Sequence, residues 1–213
     1  MDLDPIALTS RLVARVRPSG KPLHPRGEVL RGVLTRAGGS RPSGVPWLDE
    51  AGTDAVLVRR SRGGGLPRLL PDVHGLAVRV PSEKTAIDLT FSSAGLGRWS
   101  RFVPRPHWDG RPLPLSTLMP YRGPDGPVLV AATATAPEAY RLLWATPTSD
   151  WVEFADLTLR DEETADRDVS FDSFVHPLPD TETYAWFRRL REPAYRAARE
   201  QSGRSLGDDP FHG

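Results

Sequence analysis

This sequence predicts a mainly β fold, with helices confined to the two ends, and three observations carry that prediction. The 22 prolines and 19 glycines are spread along the chain rather than gathered in one linker, the punctuation of many short strands joined by turns. Between them lie apolar segments of strand length, bounded by Gly, Pro, Ser or Asp. The length of 213 residues suits one barrel or sandwich domain with a sizeable core.

The first element is a short amphipathic start carrying Ile6, Leu8, Leu12 and Val13, with Asp4 as cap and Pro5 at the first helical position. Strands are predicted at 28–36, 55–61, 76–80, 87–92, 128–133, 140–146 and 151–160. In the last, Ala155, Leu157 and Leu159 alternate with Asp156, Thr158 and Arg160, the period of a half-buried strand. The irregular piece at 95–127 is longer than an ordinary connection, so it should wrap the sheet or carry function. Its Trp99, Phe102, Trp108 and Met119 are there to be buried. The acidic run at 161–168 reads as a solvated turn. At the far end Tyr184, Phe187, Leu190, Ala194, Tyr195 and Ala198 recur at helical spacing, giving two helices that meet near Pro193. The whole of 1–213 reads as a single domain, with an ordered core at about 21–199 and terminal extensions at 1–20 and 200–213.

Charge and composition exclude several functions. With 28 Lys+Arg against 27 Asp+Glu, the formal net charge is +1, so no global field favours nucleic acid or an anionic membrane. Without cysteine there is no disulfide, thiolate nucleophile or Cys-based metal site. The opening MDLDPIALTSRLVARV suits neither a secretory signal nor a membrane span, and a cytoplasmic protein is the default expectation.

Local motifs exclude more. Gly63–Gly65 is followed by Leu66, Pro67 and Arg68, so it reads as a turn and not a phosphate loop. His24, His74, His107, His176 and His212 show no metal-ligand spacing, and no GxSxG elbow is present. Glu28, Asp72, Asp88 and Glu153 lie on separate elements, with nothing local to mark an acid–base pair.

A set of segments in a particular order remains. Lys21-Pro-Leu-His24-Pro-Arg26-Gly27 precedes a strand. Val58-Arg59-Arg60-Ser61, the element from Pro71 to Val80 and Ile87-Asp88-Leu89 follow, and Arg191-Glu192-Pro193-Ala194-Tyr195 comes near the end. In this order the segments resemble the heme catalase superfamily, over about Lys21 to Arg199. The likeness is greatest to the short catalase-related proteins of actinobacterial type, which lack the long arms of true catalases.

The resemblance implies an antiparallel catalase-like β-barrel with short terminal helices, heme b as cofactor, and hydrogen peroxide or a small organic molecule as substrate. It places His24 as the distal acid–base, matching the family's essential histidine, with Ser61 hydrogen-bonding its second ring nitrogen. A histidine titrates near neutrality and can carry a proton from one peroxide oxygen to the other. Tyr195 matches the proximal tyrosine that ligates iron, and Arg191 the arginine one helical turn away that favours its phenolate. Arg59 and Lys21 would neutralise heme propionates. Phe102 completes the cofactor-binding set.

Judged alone, His24 is a loop histidine beside proline and Tyr195 a core aromatic of an amphipathic helix. His74 stands where the family has an arginine and reads as structural, while Tyr121 and Tyr140 read as packing residues. The family's distal asparagine falls on Ser92, or on Ser93 if the register slips, and Pro193 interrupts the turn between Arg191 and Tyr195. Peroxidase-like or oxygenase-like oxidation is therefore expected, with weak catalase activity at most. The same barrel without heme would serve as a small-ligand or partner-binding protein. Pairing into a homodimer is expected of a barrel without arms.

Overall fold

The computed structural model describes residues 27–63, 69–82, 85–108, 114–163, 169 and 171–187. The expected amphipathic start, the C-terminal helical residues beyond Phe187 and the tail lie outside them.

Each of the seven expected strands is found. The elements in order are β1 (Gly27–Arg36), a four-residue helix α1 (Pro46–Asp49), β2 (Gly52–Arg62), β3 (His74–Val80), β4 (Ile87–Ser93), β5 (Pro114–Ser116), β6 (Tyr121–Gly123), β7 (Gly126–Ala136), β8 (Ala139–Ala145) and β9 (Val152–Glu163). Apart from β5 and β6, successive strands pair antiparallel; β9 returns to β1, and β5 bonds both β4 and β7, which closes an eight-stranded barrel with β6 hanging from β7. Closure leaves the barrel no free edge.

Alternation decides the core. Leu30, Leu34, Val56, Val58, Leu76, Val78, Leu89, Phe91, Leu142 and Leu157 are all buried within one apolar cluster. They occupy every second position of their strands and meet across the registers Leu30↔Val58, Val58↔Val78, Val78↔Leu89 and Leu142↔Ala155. Gly32 lies on the same face beside the bulge at Leu30/Arg31, where an added Cβ would sit 2.9 Å from the Thr158 carbonyl oxygen. Polar side chains mark both ends of this inner face. At one, Arg36 pairs with Asp54 at 3.2 Å and stacks over Trp47; at the other, Arg60 binds Glu28 at 2.7 Å and Glu138 at 3.3 Å.

Three expectations need correction. The strand β9 extends into the acidic run, because its end pairs with β1 as Leu30↔Glu163. The 95–127 piece contains β5 and β6 as well as a 3-10 turn at Ser100–Phe102. Within it Trp99 and Trp108 are 68% and 53% exposed. Polar anchoring holds this segment instead of indole burial: the Arg101 guanidinium donates to the carbonyls of Leu96, Gly97, Thr146 and Ser149 and stacks over Trp151. Its burial pulls the Arg101 pKa below the ordinary arginine value.

Candidate functional site

Four of the sequence-predicted site residues, Lys21, His24, Arg191 and Tyr195, fall outside the described residues. The other four can be placed. Arg59 and Ser61 alternate with the core-facing Val56 and Val58, so their side chains leave β2 on the outer face of the barrel. The register Ser61↔Gly75↔Ser92 carries that face across β3 to β4, and Arg59↔Ala77↔Thr90 forms the next row. Arg59, Ser61 and Ser92 therefore share one face, with Gly75 and Ala77 as a low floor between them. Two interstrand spacings separate Ser61 from Ser92, about 10 Å. All three are half-buried.

The same register puts the two serines on opposite faces. Ser93 points inward, where its hydroxyl donates to the Arg105 carbonyl at 2.7 Å and accepts the His74 amide at 3.1 Å. Ser92 is the one beside Ser61. Phe102 lies in the 3-10 turn, half-buried, two residues from the Ala94↔Pro104 bridge that pins this segment to the end of β4. The His74 ring is held by the main chain, with Nε2 3.1 Å from the carbonyl oxygen of His107.

Beyond Arg59 and Thr90 on this face, segment 171–187 crosses the barrel as a strap. Asp88, fully buried, accepts two hydrogen bonds from Arg79 (2.7 and 2.5 Å) and one from the Asp172 amide at 2.7 Å. Its own amide donates to the His176 carbonyl. The hydrogen bond to Asp88 raises the Arg79 pKa further, against the opposing cost of burial. At its other end the strap bridges to β6 through Arg122↔Glu182. Between strap and barrel is a crevice of about 40 Å³, with Thr90, Thr117, Met119 and Tyr121 on the barrel side and Ser173, Phe174, Thr183 and Phe187 on the strap side. Burial pushes the Tyr121 phenol well above the ordinary tyrosine value, and the charge of Asp88 adds to the shift.

Sequence reasoning missed the Arg79–Asp88 latch and the crevice. One signal was available for the first: Asp88 is a lone acid in the apolar run Ile87-Asp88-Leu89, and a carboxylate buried with its strand needs a cationic partner. Among the described residues no three His, Asp or Glu side chains gather as a metal site, and no helix is long and apolar enough to cross a membrane.

The barrel has a catalase-like fold. Among solved structures similar to this chain is a fungal catalase, with a TM-score of 0.58 and 13% identity over 100% of this chain and 66% of that one. Catalase A from Saccharomyces cerevisiae gives 0.57 and 11%, over 99% of this chain and 68% of that one. The chain thus spans about two thirds of the length of the catalases it matches, and at these identities the likeness is one of fold. No protein-family model matches the sequence, and no curated protein does.

Proposed function

We propose that this chain is a b-type heme protein on a minimal catalase-like barrel of the short actinobacterial type, using peroxide for peroxidase-like or oxygenase-like oxidation. The observation that carries the proposal is the outer face of β2–β4, where Arg59, Ser61 and Ser92 stand in register around Gly75. Their chemistry fits the group. A porphyrin is a flat apolar ring with two carboxylates, and this face offers a floor of small side chains, a guanidinium for a carboxylate and hydroxyls for hydrogen bonds.

Heme, when bound, would supply the redox-active iron at which peroxide is reduced. Every other task falls to the chain. Tyr195, with Arg191 favouring its phenolate, would hold the iron; Arg59 and Lys21 would neutralise the propionates. His24 would take a proton from one peroxide oxygen and return it to the other, with Ser61 fixing its tautomer. Gly27 pairs with Ser61, and His24 precedes Gly27 by three residue steps, at most about 11 Å of chain, which supports its assignment to this face. Ser92 offers one short hydroxyl where the resemblance expects a longer amide, which supports slow dismutation.

The absorption spectrum of protein expressed with supplied heme tests the assignment. A Soret band that shifts or disappears in Tyr195→Phe is the expected result. No band, or one identical in the variant, would sink it.

A further inference from the structure

We propose that the crevice between barrel and strap is a binding site for a small uncharged carbonyl compound of up to about four non-hydrogen atoms, held by hydrogen bonds from the Tyr121 and Thr183 hydroxyls. The site goes beyond the heme assignment and needs no heme.

Its size comes first. A cavity of about 40 Å³ holds roughly three waters at ~10–15 Å³ each by the same measure, the room a molecule such as acetone takes. Among the described residues its lining carries no ionisable group other than the tyrosine phenol, so neither a cation nor an anion would find a partner among them. A charged ligand would have to shed its hydration uncompensated.

The polar groups then select the ligand. Thr90 and Ser173 already hydrogen-bond each other at 3.2 Å, and the Thr117 hydroxyl accepts the Val130 amide at 3.4 Å. Tyr121 is 93% buried, and among the described residues its hydroxyl has no hydrogen-bond partner. Its phenol is held protonated and so can donate a hydrogen bond. The Thr183 hydroxyl likewise lacks a partner among the described residues. Tyr121 and Thr183 both line the crevice, and a carbonyl oxygen, whose two lone pairs can accept two hydrogen bonds, matches this pair of hydroxyl donors.

Water would satisfy those donors equally well, but the remaining walls are Met119, Pro120, Phe174 and Phe187, the two phenylalanine rings 5.5 Å apart. Against these a water leaves its own hydrogen bonds unmade, while an alkyl group gains contact and sheds its hydration.

Acetone is the probe. Titrated into the full-length protein and followed by backbone amide NMR shifts, it should produce saturable changes centred on Thr90, Thr117, Ser173 and Thr183, with a dissociation constant on the order of millimolar. Tyr121→Phe, which keeps the ring, should weaken binding about three- to ten-fold, and Thr183→Val by a similar factor. Unchanged amide dispersion in each variant shows that the barrel is intact; if one fails this check, the other decides. Linear, non-saturating shifts, shifts spread over the surface, or equal affinity in the folded variants would overturn the proposal.

Discussion

Tyr121 buries a phenol whose ionised form has no stabilising partner among the described residues, since desolvation and the nearby Asp88 carboxylate both act against it. The consequence is a pH dependence whose sign follows from linkage. In the unfolded chain tyrosine loses its proton near pH 10, whereas in the folded barrel Tyr121 keeps it to higher pH. Below about pH 10 both states are neutral and the contribution is fully present; above it the unfolded chain binds fewer protons, and stability falls as pH rises. The expected slope from this residue is at most about 1.4 kcal/mol per pH unit. Tyr140 adds a smaller pull in the same direction, because burial raises its pKa while the charge of Arg60 opposes the shift. Urea midpoints measured from pH 8 to 11.5 should drop above pH 10, and the drop should be shallower in Tyr121→Phe. Parallel curves for the two proteins would show that Tyr121 ionises freely in the native state.

At the scale of elements, one carboxylate anchors the start of the strap. Asp88 binds Arg79 from β3 and Asp172 from the strap itself, so it joins two strands to a segment more than eighty residues later in the chain. Asp88→Asn would remove the buried carboxylate charge and turn an amide N–H toward Arg79 or the Asp172 amide, weakening charge-assisted hydrogen bonds at a cost of about 2–3 kcal/mol. Thermal unfolding should show that loss, and hydrogen exchange should show amides of 171–187 deprotected before those of β3 and β4. Equal protection of strap and strands would mean that the strap's other anchors, such as the Arg122↔Glu182 bridge and its apolar contacts, hold it without the Asp88 carboxylate. Element boundaries were legible where the signal was local. Leu76, Val78 and Val80 alternate with Ala77 and Arg79, and that period alone predicts β3. The strands β5 and β6, three residues each, are too short to show a period, and hydrogen bonds from β4 and β7 define them. Arg79 and Asp88 lie nine residues apart on neighbouring strands, so only the β3–β4 register reveals that they meet.

At the scale of the whole molecule, the proposed site draws on two kinds of information that the sequence carries unequally. Parity along β2 puts Arg59 and Ser61 on one face, opposite Val56 and Val58, and needs no structure. That Ser92 joins them, and Ser93 does not, follows from the closed barrel's register, which no local pattern encodes. The proposed function adds His24, tethered to this face through the Gly27↔Ser61 pair, and a proton shuttle there has a distinct kinetic signature. With heme supplied, His24→Ala should keep the parent's Soret band, because in this proposal Tyr195 would hold the iron, while the second-order rate of reaction with hydrogen peroxide falls by about 10²–10⁴. Ser61→Ala should keep the band too and lose a smaller factor, since it removes only the hydrogen bond that fixes the tautomer; its deficit should vanish when His24 is already absent. Stopped-flow mixing of the parent, both single variants and the double variant gives all four rates. A His24→Ala rate equal to the parent's would take the histidine out of the mechanism, and additive losses would separate Ser61 from it.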